Sequence, residues 1–177
     1  VGNVIAASAG NHAQGVALAA TKTRLPATIV MPKNAPQTKI EATADYGADV
    51  ELHGHSFRAA MAHAESLVTD DSLFVHAYDD PDIIAGQGTI GLEILEQVPE
   101  VDTVVVPIGG GGLIGGIATA IGERSPSTRI VGVQAAGAAT VPESLETGEP
   151  QSRDHVQTIA DGIATGGISE LTLELIE

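Results

Sequence analysis

Apolar and polar positions alternate along the chain in blocks of two kinds. Short β-branched runs read as strands: Ala27–Met31 (ATIVM), Val50–His53, Leu73–His76, Thr103–Pro107 (TVVVP) and Ile130–Val133, with Val4–Ala7 a shorter candidate. Longer runs rich in Ala, Leu and Glu read as helices: Asn11–Thr21, Gln37–Tyr46, Phe57–Val68, Ile83–Gln97, Leu113–Glu123 and Leu171–Ile176. Strand, helix, strand in repetition predicts an α/β fold with parallel strands and right-handed crossovers. The continuous apolar character of TVVVP predicts a buried strand. The clearest break is Tyr78-Asp79-Asp80-Pro81, where two acids precede a proline that disfavours helix before it. It divides a first α/β unit, residues 1–80, from a second, residues 81–177.

Composition narrows the chemistry. The chain has 177 residues, 43% of them hydrophobic, enough to bury a sizeable core. Aromatics are 2%, so stacking platforms for single-stranded nucleic acid are not expected. With 23 Asp plus Glu against 8 Lys plus Arg, the formal charge is −15, which repels a phosphate backbone and suits solubility at high salt. There is no cysteine, which excludes disulfides, thiolate catalysis and Cys-ligated zinc within this chain. No apolar run has the length of a membrane span, and no positively charged leader opens the sequence, so a cytoplasmic location is expected. The histidines are scattered, and only His53-x-His55 has metal-ligand spacing; that pair reads as solvated and no metal site is expected.

Three glycine-bearing motifs stand at strand-to-helix junctions or helix starts. The first, Pro107-Ile108-Gly109-Gly110-Gly111-Gly112-Leu113-Ile114-Gly115-Gly116, follows a strand and opens a helix. Consecutive glycines present no Cβ, so backbone N–H groups can converge on one anion beside the positive end of a helix. No Gly-Lys-Ser/Thr follows, and no acid ends the next strand to hold a ribose, so a terminal monophosphate fits better than a dinucleotide. A tightly packed glycine turn is the other reading. The second motif, Ala7-Ser8-Ala9-Gly10-Asn11-His12-Ala13-Gln14-Gly15, reads by itself as helix capping by Ser8 or Asn11, with an anion-binding turn as the alternative. In the third, Ala85-Gly86-Gln87-Gly88-Thr89-Ile90-Gly91, the glycines read as close packing against the sheet.

SAGNHAQGVA (Ser8–Ala17), MPKNAPQTK (Met31–Lys39), YDDPDIIAGQGTIGLEI (Tyr78–Ile94), VPIGGGGLIGGIA (Val106–Ala118) and ADGIA (Ala160–Ala164) occur in that order. Together they resemble the threonine dehydratases (threonine ammonia-lyases), within the tryptophan-synthase-β-like family of pyridoxal 5'-phosphate enzymes that also holds serine dehydratase and serine racemase. The resemblance covers nearly the whole chain. It implies a parallel-sheet, three-layer α/β fold, here incomplete, with most of the small domain in residues 1–80 and part of the large cofactor-binding domain in 81–177. It implies that Ser8, Ala9, Gly10 and His12 bind the substrate carboxylate. Asn11 is implied to bond the cofactor's ring hydroxyl. Gly109, Gly110, Gly111, Gly112 and Leu113 are implied to hold the phosphate, and Gly162 to lie near the ring. Ala9 favours a dehydratase over a racemase, which tends to carry Ser there.

The family's Schiff-base lysine belongs to an SFK-x-RGA-like motif that this chain lacks, and its place is expected upstream of Val1. No catalytic residue is therefore assigned here. The chain is expected to be an internal fragment, inactive alone, of a cytoplasmic homo-oligomeric lyase of amino-acid metabolism (isoleucine biosynthesis included) that takes threonine or serine and binds neither nucleic acid nor membrane. A serine-racemase-like enzyme and a non-catalytic phosphate-ligand remnant are the alternatives.

Overall fold

The computed structural model describes residues 1–177, and contacts between residues divide the chain into two compact units, Val1–Ala77 and Tyr78–Glu177. In the first unit, β1 (Asn3–Ala7), β2 (Ala27–Met31), β3 (Asp49–Leu52) and β4 (Ser72–Phe74) form one parallel sheet in the order β3-β2-β1-β4. The register pairs Val4 with Ala27, Thr28 with Asp49 and Asn3 with Ser72. Helices α1 (Asn11–Thr23), α2 (Gln37–Asp45) and α3 (Phe57–Ser66) make the crossovers.

Both faces of that sheet are covered, which accounts for the unbroken apolar runs of its central strands. Val4, Ala6, Ile29 and Met31 pack with Ala13, Val16, Ala17 and Ala20 of α1. The alternate residues Ile5, Ala7 and Val30 pack on the other side with Ala60 and Ala64 of α3. The small residues of α1 recur at helical spacing, so that helix lies close to the sheet. From β1 the chain moves to β2 on one side, whereas β4 lies on the other side of β1. The carboxyl end of β1 is thus the topological switch point, where sheets of this kind leave a crevice for ligands.

The second unit begins with α4 (Pro81–Gln97), followed by β5 (Thr103–Pro107), α5 (Gly112–Arg124) and β6 (Arg129–Val133). Strands β5 and β6 pair in parallel, Val104 opposite Ile130, with α5 as the crossover. Two short helices, α6 (Val141–Thr147) and α7 (Glu170–Glu174), and 3-10 turns at Ala136–Ala138 and Asp161–Ile163 complete it. Val104, Val106 and Ile108 pack with Ile114, Ile117 and Ile121 of α5 and with Val141, Ile168 and Leu173.

Several expectations change here. TVVVP is buried only at Val104 and Val106, and Val105 on the opposite face is 63% exposed. Asp80-Pro81 does not end an element; it starts α4, two residues earlier than expected. The Asp80 side chain accepts from the N–H groups of Asp82 and Ile83, and Pro81 occupies the first turn, where its missing N–H costs nothing. Gly88 and Gly91 face α5 and not the sheet. A Cβ on Gly88 would lie 3.1 Å from the Gly116 carbonyl, and one on Gly116 would meet the Ile84 carbonyl and lie 2.6 Å from the Gly88 nitrogen. The two helices meet backbone to backbone, and that contact seats α5 behind the loop that opens it. Helix α6 lies in a stretch to which the sequence pattern assigns no element. Pro142 in its first turn and Gly148 just past its end were the available signals.

Candidate anion-binding turns

In the first unit, Ser8, Ala9, Gly10, Asn11 and His12 form the turn between β1 and α1, at the switch point. Neither Ser8 nor Asn11 caps α1. Its N-cap is Gly10, with no side-chain hydrogen bond to the helix, and the Ser8 hydroxyl instead accepts the Gly10 N–H at 3.1 Å. The first turn of α1 is therefore left with open donors and the positive end of the helix dipole. A Cβ on Gly10 would meet nothing within 4 Å, so the space before this turn is clear. Asn11 is the first residue of α1 and its side chain is exposed. The His12 ring is committed elsewhere: Nε2 lies 3.1 Å from the carbonyl oxygen of Val75, just past β4, and so ties α1 across the switch point. The His12 Nε2 is thus engaged within the protein, whereas its backbone N–H belongs to the open first turn of α1.

In the second unit, Gly109–Leu113 join β5 to α5. The Ile108 N–H bonds the Val133 carbonyl, and the helix ladder begins with the Gly115 N–H on the Gly111 carbonyl. Between them, the amides of Gly109, Gly110, Gly111, Gly112 and Leu113 donate to no protein acceptor, and Gly111, the N-cap, offers no side chain. Consecutive open donors at a helix start, with no acidic side chain from Pro107 to Gly116, are a donor set suited to an anion.

The same glycines are also packed from behind. A Cβ on Gly110 would overlap the ring of Tyr78, and one on Gly112 would lie 2.9 Å from the Tyr78 Cβ. Gly111 has a φ of +95°, and a Cβ there would lie 2.7 Å from that of Thr172. The Thr172 hydroxyl donates to the Gly110 carbonyl at 2.9 Å. The Asp161–Ile163 turn, which carries Gly162, abuts the loop: a Cβ on Gly109 would lie 3.3 Å from the Ile163 Cα and 3.3 Å from the Thr165 Cγ2. Gly162 itself is exposed and faces open space. The Thr165 hydroxyl, beside the same loop, is buried without a hydrogen-bond partner.

Tyr78, Thr165 and Thr172 were not singled out by sequence. The available signals were the Tyr78 position at the start of the YDDP break and the Ser169-x-x-Thr172 spacing that forms a capping box on α7. Burial, and secondarily the negative charge of Asp79, push the Tyr78 phenol up from its ordinary value, so the ring beside the cradle stays neutral. The His53 ring stacks on His63 of α3 with centroids 3.9 Å apart, and His63 Nε2 meets Glu51 Oε1 at 2.6 Å. His53 thus pairs with His63 and not with His55, and no group of three histidine or carboxylate side chains could hold a metal ion. Lys22 and Lys33 are exposed, and Lys39 is half-buried on α2.

Residues 1–177 match the family of pyridoxal-phosphate dependent enzymes. The catabolic L-threonine dehydratase of Escherichia coli K12 is 46% identical over 174 residues, which are 98% of this chain and 53% of that protein. The solved structure of the processed form of threonine deaminase isoform 2 from Solanum lycopersicum superposes with a TM-score of 0.89 at 44% identity, over 97% of this chain and 48% of that one. Maize serine racemase follows with a TM-score of 0.87 at 37% identity, over 98% of this chain and 53% of that one. The chain spans about half the length of the relatives it matches. A motif order, a parallel α/β fold and a match along all 177 residues agree: this chain belongs to the family of pyridoxal-phosphate dependent enzymes.

Proposed function

We propose that the chain supplies the substrate-carboxylate turn and the phosphate cradle of an ammonia-lyase that converts L-threonine to 2-oxobutyrate and ammonia, or L-serine to pyruvate and ammonia. The observation that carries this reading is the run of five open amides from Gly109 to Leu113 at the uncapped start of α5. That donor set fits a phosphate monoester: many N–H donors, a positive helix end and no carboxylate within the loop itself, Pro107 to Gly116. In this reading residues 1–80 are most of the small domain and 81–177 part of the cofactor-binding domain.

The roles follow from the donors present. The amides of Gly109, Gly110, Gly111, Gly112 and Leu113 hold the phosphate. The exposed Asn11 amide bonds the ring hydroxyl, and Gly162, with no side chain to obstruct it, lets the ring approach. Ser8, Ala9, Gly10 and His12 bind the substrate carboxylate through the open start of α1, which fixes the orientation of the amino acid. Pyridoxal phosphate, when bound, supplies an electron sink for charge developing at the substrate α-carbon. Ala9 carries no group that can take or give a proton. A racemase, the second reading on the likeness to maize serine racemase, needs an acid/base on each face, and Ala9 favours the lyase. The names of the relatives include a catabolic enzyme, so a place in amino-acid metabolism is as specific as this reading goes. A cytoplasmic homo-oligomer belongs to the same proposal, and sedimentation of the purified protein checks the assembly.

The test uses the full gene product. It is incubated with pyridoxal phosphate, reduced with borohydride and mapped by mass spectrometry. A pyridoxyl adduct on a lysine other than Lys22, Lys33 and Lys39, with ammonia released from threonine, is the expected result. Absence of any adduct, or an adduct without ammonia release from threonine or serine, overturns the proposal.

A further inference from the structure

We propose that Thr172 is a positioning residue of the phosphate cradle, its hydroxyl setting the direction in which the Gly111 amide faces the anion; this rests on the function proposed above. Thr172 is fully buried and sits on α7, 62 residues along the chain from Gly110. Its Oγ1 donates to the Gly110 carbonyl at 2.9 Å and accepts the Ser169 N–H at 2.9 Å. The hydroxyl has one proton to give, and the Gly110 carbonyl at 2.9 Å is a shorter contact than the Ser169 carbonyl at 3.2 Å or the Ser169 hydroxyl at 3.1 Å.

The peptide joining Gly110 to Gly111 is planar and trans, so its carbonyl oxygen and the Gly111 N–H project from opposite edges. Holding the Gly110 oxygen on Thr172 turns the Gly111 N–H away from α7, and that N–H has no acceptor in the protein. Glycine peptides rotate easily, so a cradle of four glycines has no direction of its own. Directionality comes from its walls. Tyr78 blocks the loop at Gly110 and Gly112, and Thr172 grips the peptide between Gly110 and Gly111, next to the loop's own positive-φ residue, Gly111. Leu173, next to Thr172, is in the core that also holds Ile114 and Ile117 of α5, so α7 and the cradle share one packed base.

Thr172→Val keeps the shape and removes the donor, and Thr172→Ser keeps the donor and removes a methyl group. In the full gene product, the dissociation constants of pyridoxal phosphate and of pyridoxal, which lacks the phosphate, are measured by absorbance or fluorescence titration. The Val variant is expected to bind pyridoxal phosphate about tenfold more weakly and pyridoxal within about twofold of the parent, with Ser restoring the phosphate preference. Where the Val variant does not fold, Thr172→Cys, a weak donor of similar size, carries the same comparison. Equal loss of both ligands, no loss of either, or a Ser variant that fails to recover the preference overturns the inference. A parent that binds the two ligands equally overturns the cradle itself, and with it the proposed function, which separates that failure from one confined to Thr172.

Discussion

At Gly111 two requirements coincide, a φ of +95° and a Thr172 Cβ only 2.7 Å from where a side chain would begin. Gly148 has a similar φ of +71° but open space around it. Comparing the two separates strain from crowding. Gly148→Ala is expected to cost about 1 kcal/mol, the ordinary penalty for a left-handed residue with a Cβ. Gly111→Ala adds displacement of Thr172 and is expected to cost about 2–4 kcal/mol in denaturant titration. Equal costs at the two sites would mean that α7 yields freely to the loop. At this scale the sequence showed the donors and hid their supports. Runs of glycine announce open amides, and the strand-to-helix setting of Gly109–Leu113 is local. Tyr78 and Thr172 reach that loop only through folding, and no spacing rule links residues so far apart. The Ser8 and Asn11 capping reading failed for a related reason: both residue types cap helices, but the Ser8 hydroxyl is used within the turn, on the Gly10 N–H.

Two of the four glycines of α5 have opposite surroundings. Gly116 faces the backbone of α4, and a Cβ there has no room; Gly122 is exposed with nothing within 4 Å. Gly122→Ala is expected to stabilise by about 0.5–1 kcal/mol through helix propensity alone. Gly116→Ala is expected to destabilise by about 2–3 kcal/mol, because backbone cannot step aside as a side chain can. Thermal melts of the two variants check this, and a Gly116→Ala melting temperature at or above the parent's would show that α4 and α5 are not tightly seated. Element identity was legible wherever a run was long and uniform, as in Asn11–Thr23 and Pro81–Gln97. Boundaries slipped by a residue or two where caps decided them, as at Asp80. Helix α6 escaped because Val141–Thr147 makes barely two turns and shows no apolar period. The partner of the α4 glycines was not legible either, since a glycine face fits a sheet and a helix equally well.

For the molecule as a whole, the excess of acidic residues is the dominant long-range force. A net charge of −15 on 177 residues is self-repelling, and the surface has few lysines and arginines to offset it. Raising KCl from 0.1 to 1 M shortens the screening length from about 10 Å to about 3 Å. The melting temperature is therefore expected to rise by several degrees over that range, and a flat or falling curve would show that the acids are locally compensated. The α/β class and the strand-to-helix placement of both turns could be read from the order of runs, because parallel crossovers require that order. Burial of β5 could not: Val105 is as apolar as its neighbours, yet it projects from the face opposite α5, and Val133 on β6 is 48% exposed as well.

The walls around the glycine loop also bear on how such a site can diverge. In the proposed site each loop glycine would answer to a ligand on one side, and each is packed by protein on the other: Ile163 and Thr165 behind Gly109, Tyr78 behind Gly110 and Gly112, Thr172 behind Gly111. A change in the loop that altered ligand preference would disturb packing at once, and a change that relieved packing would disturb the ligand. Heritable variation in this family of cradles should therefore accumulate in the residues behind the loop, and a library that randomises positions 78, 165 and 172 should yield more folded, altered binders than one that randomises 109–112.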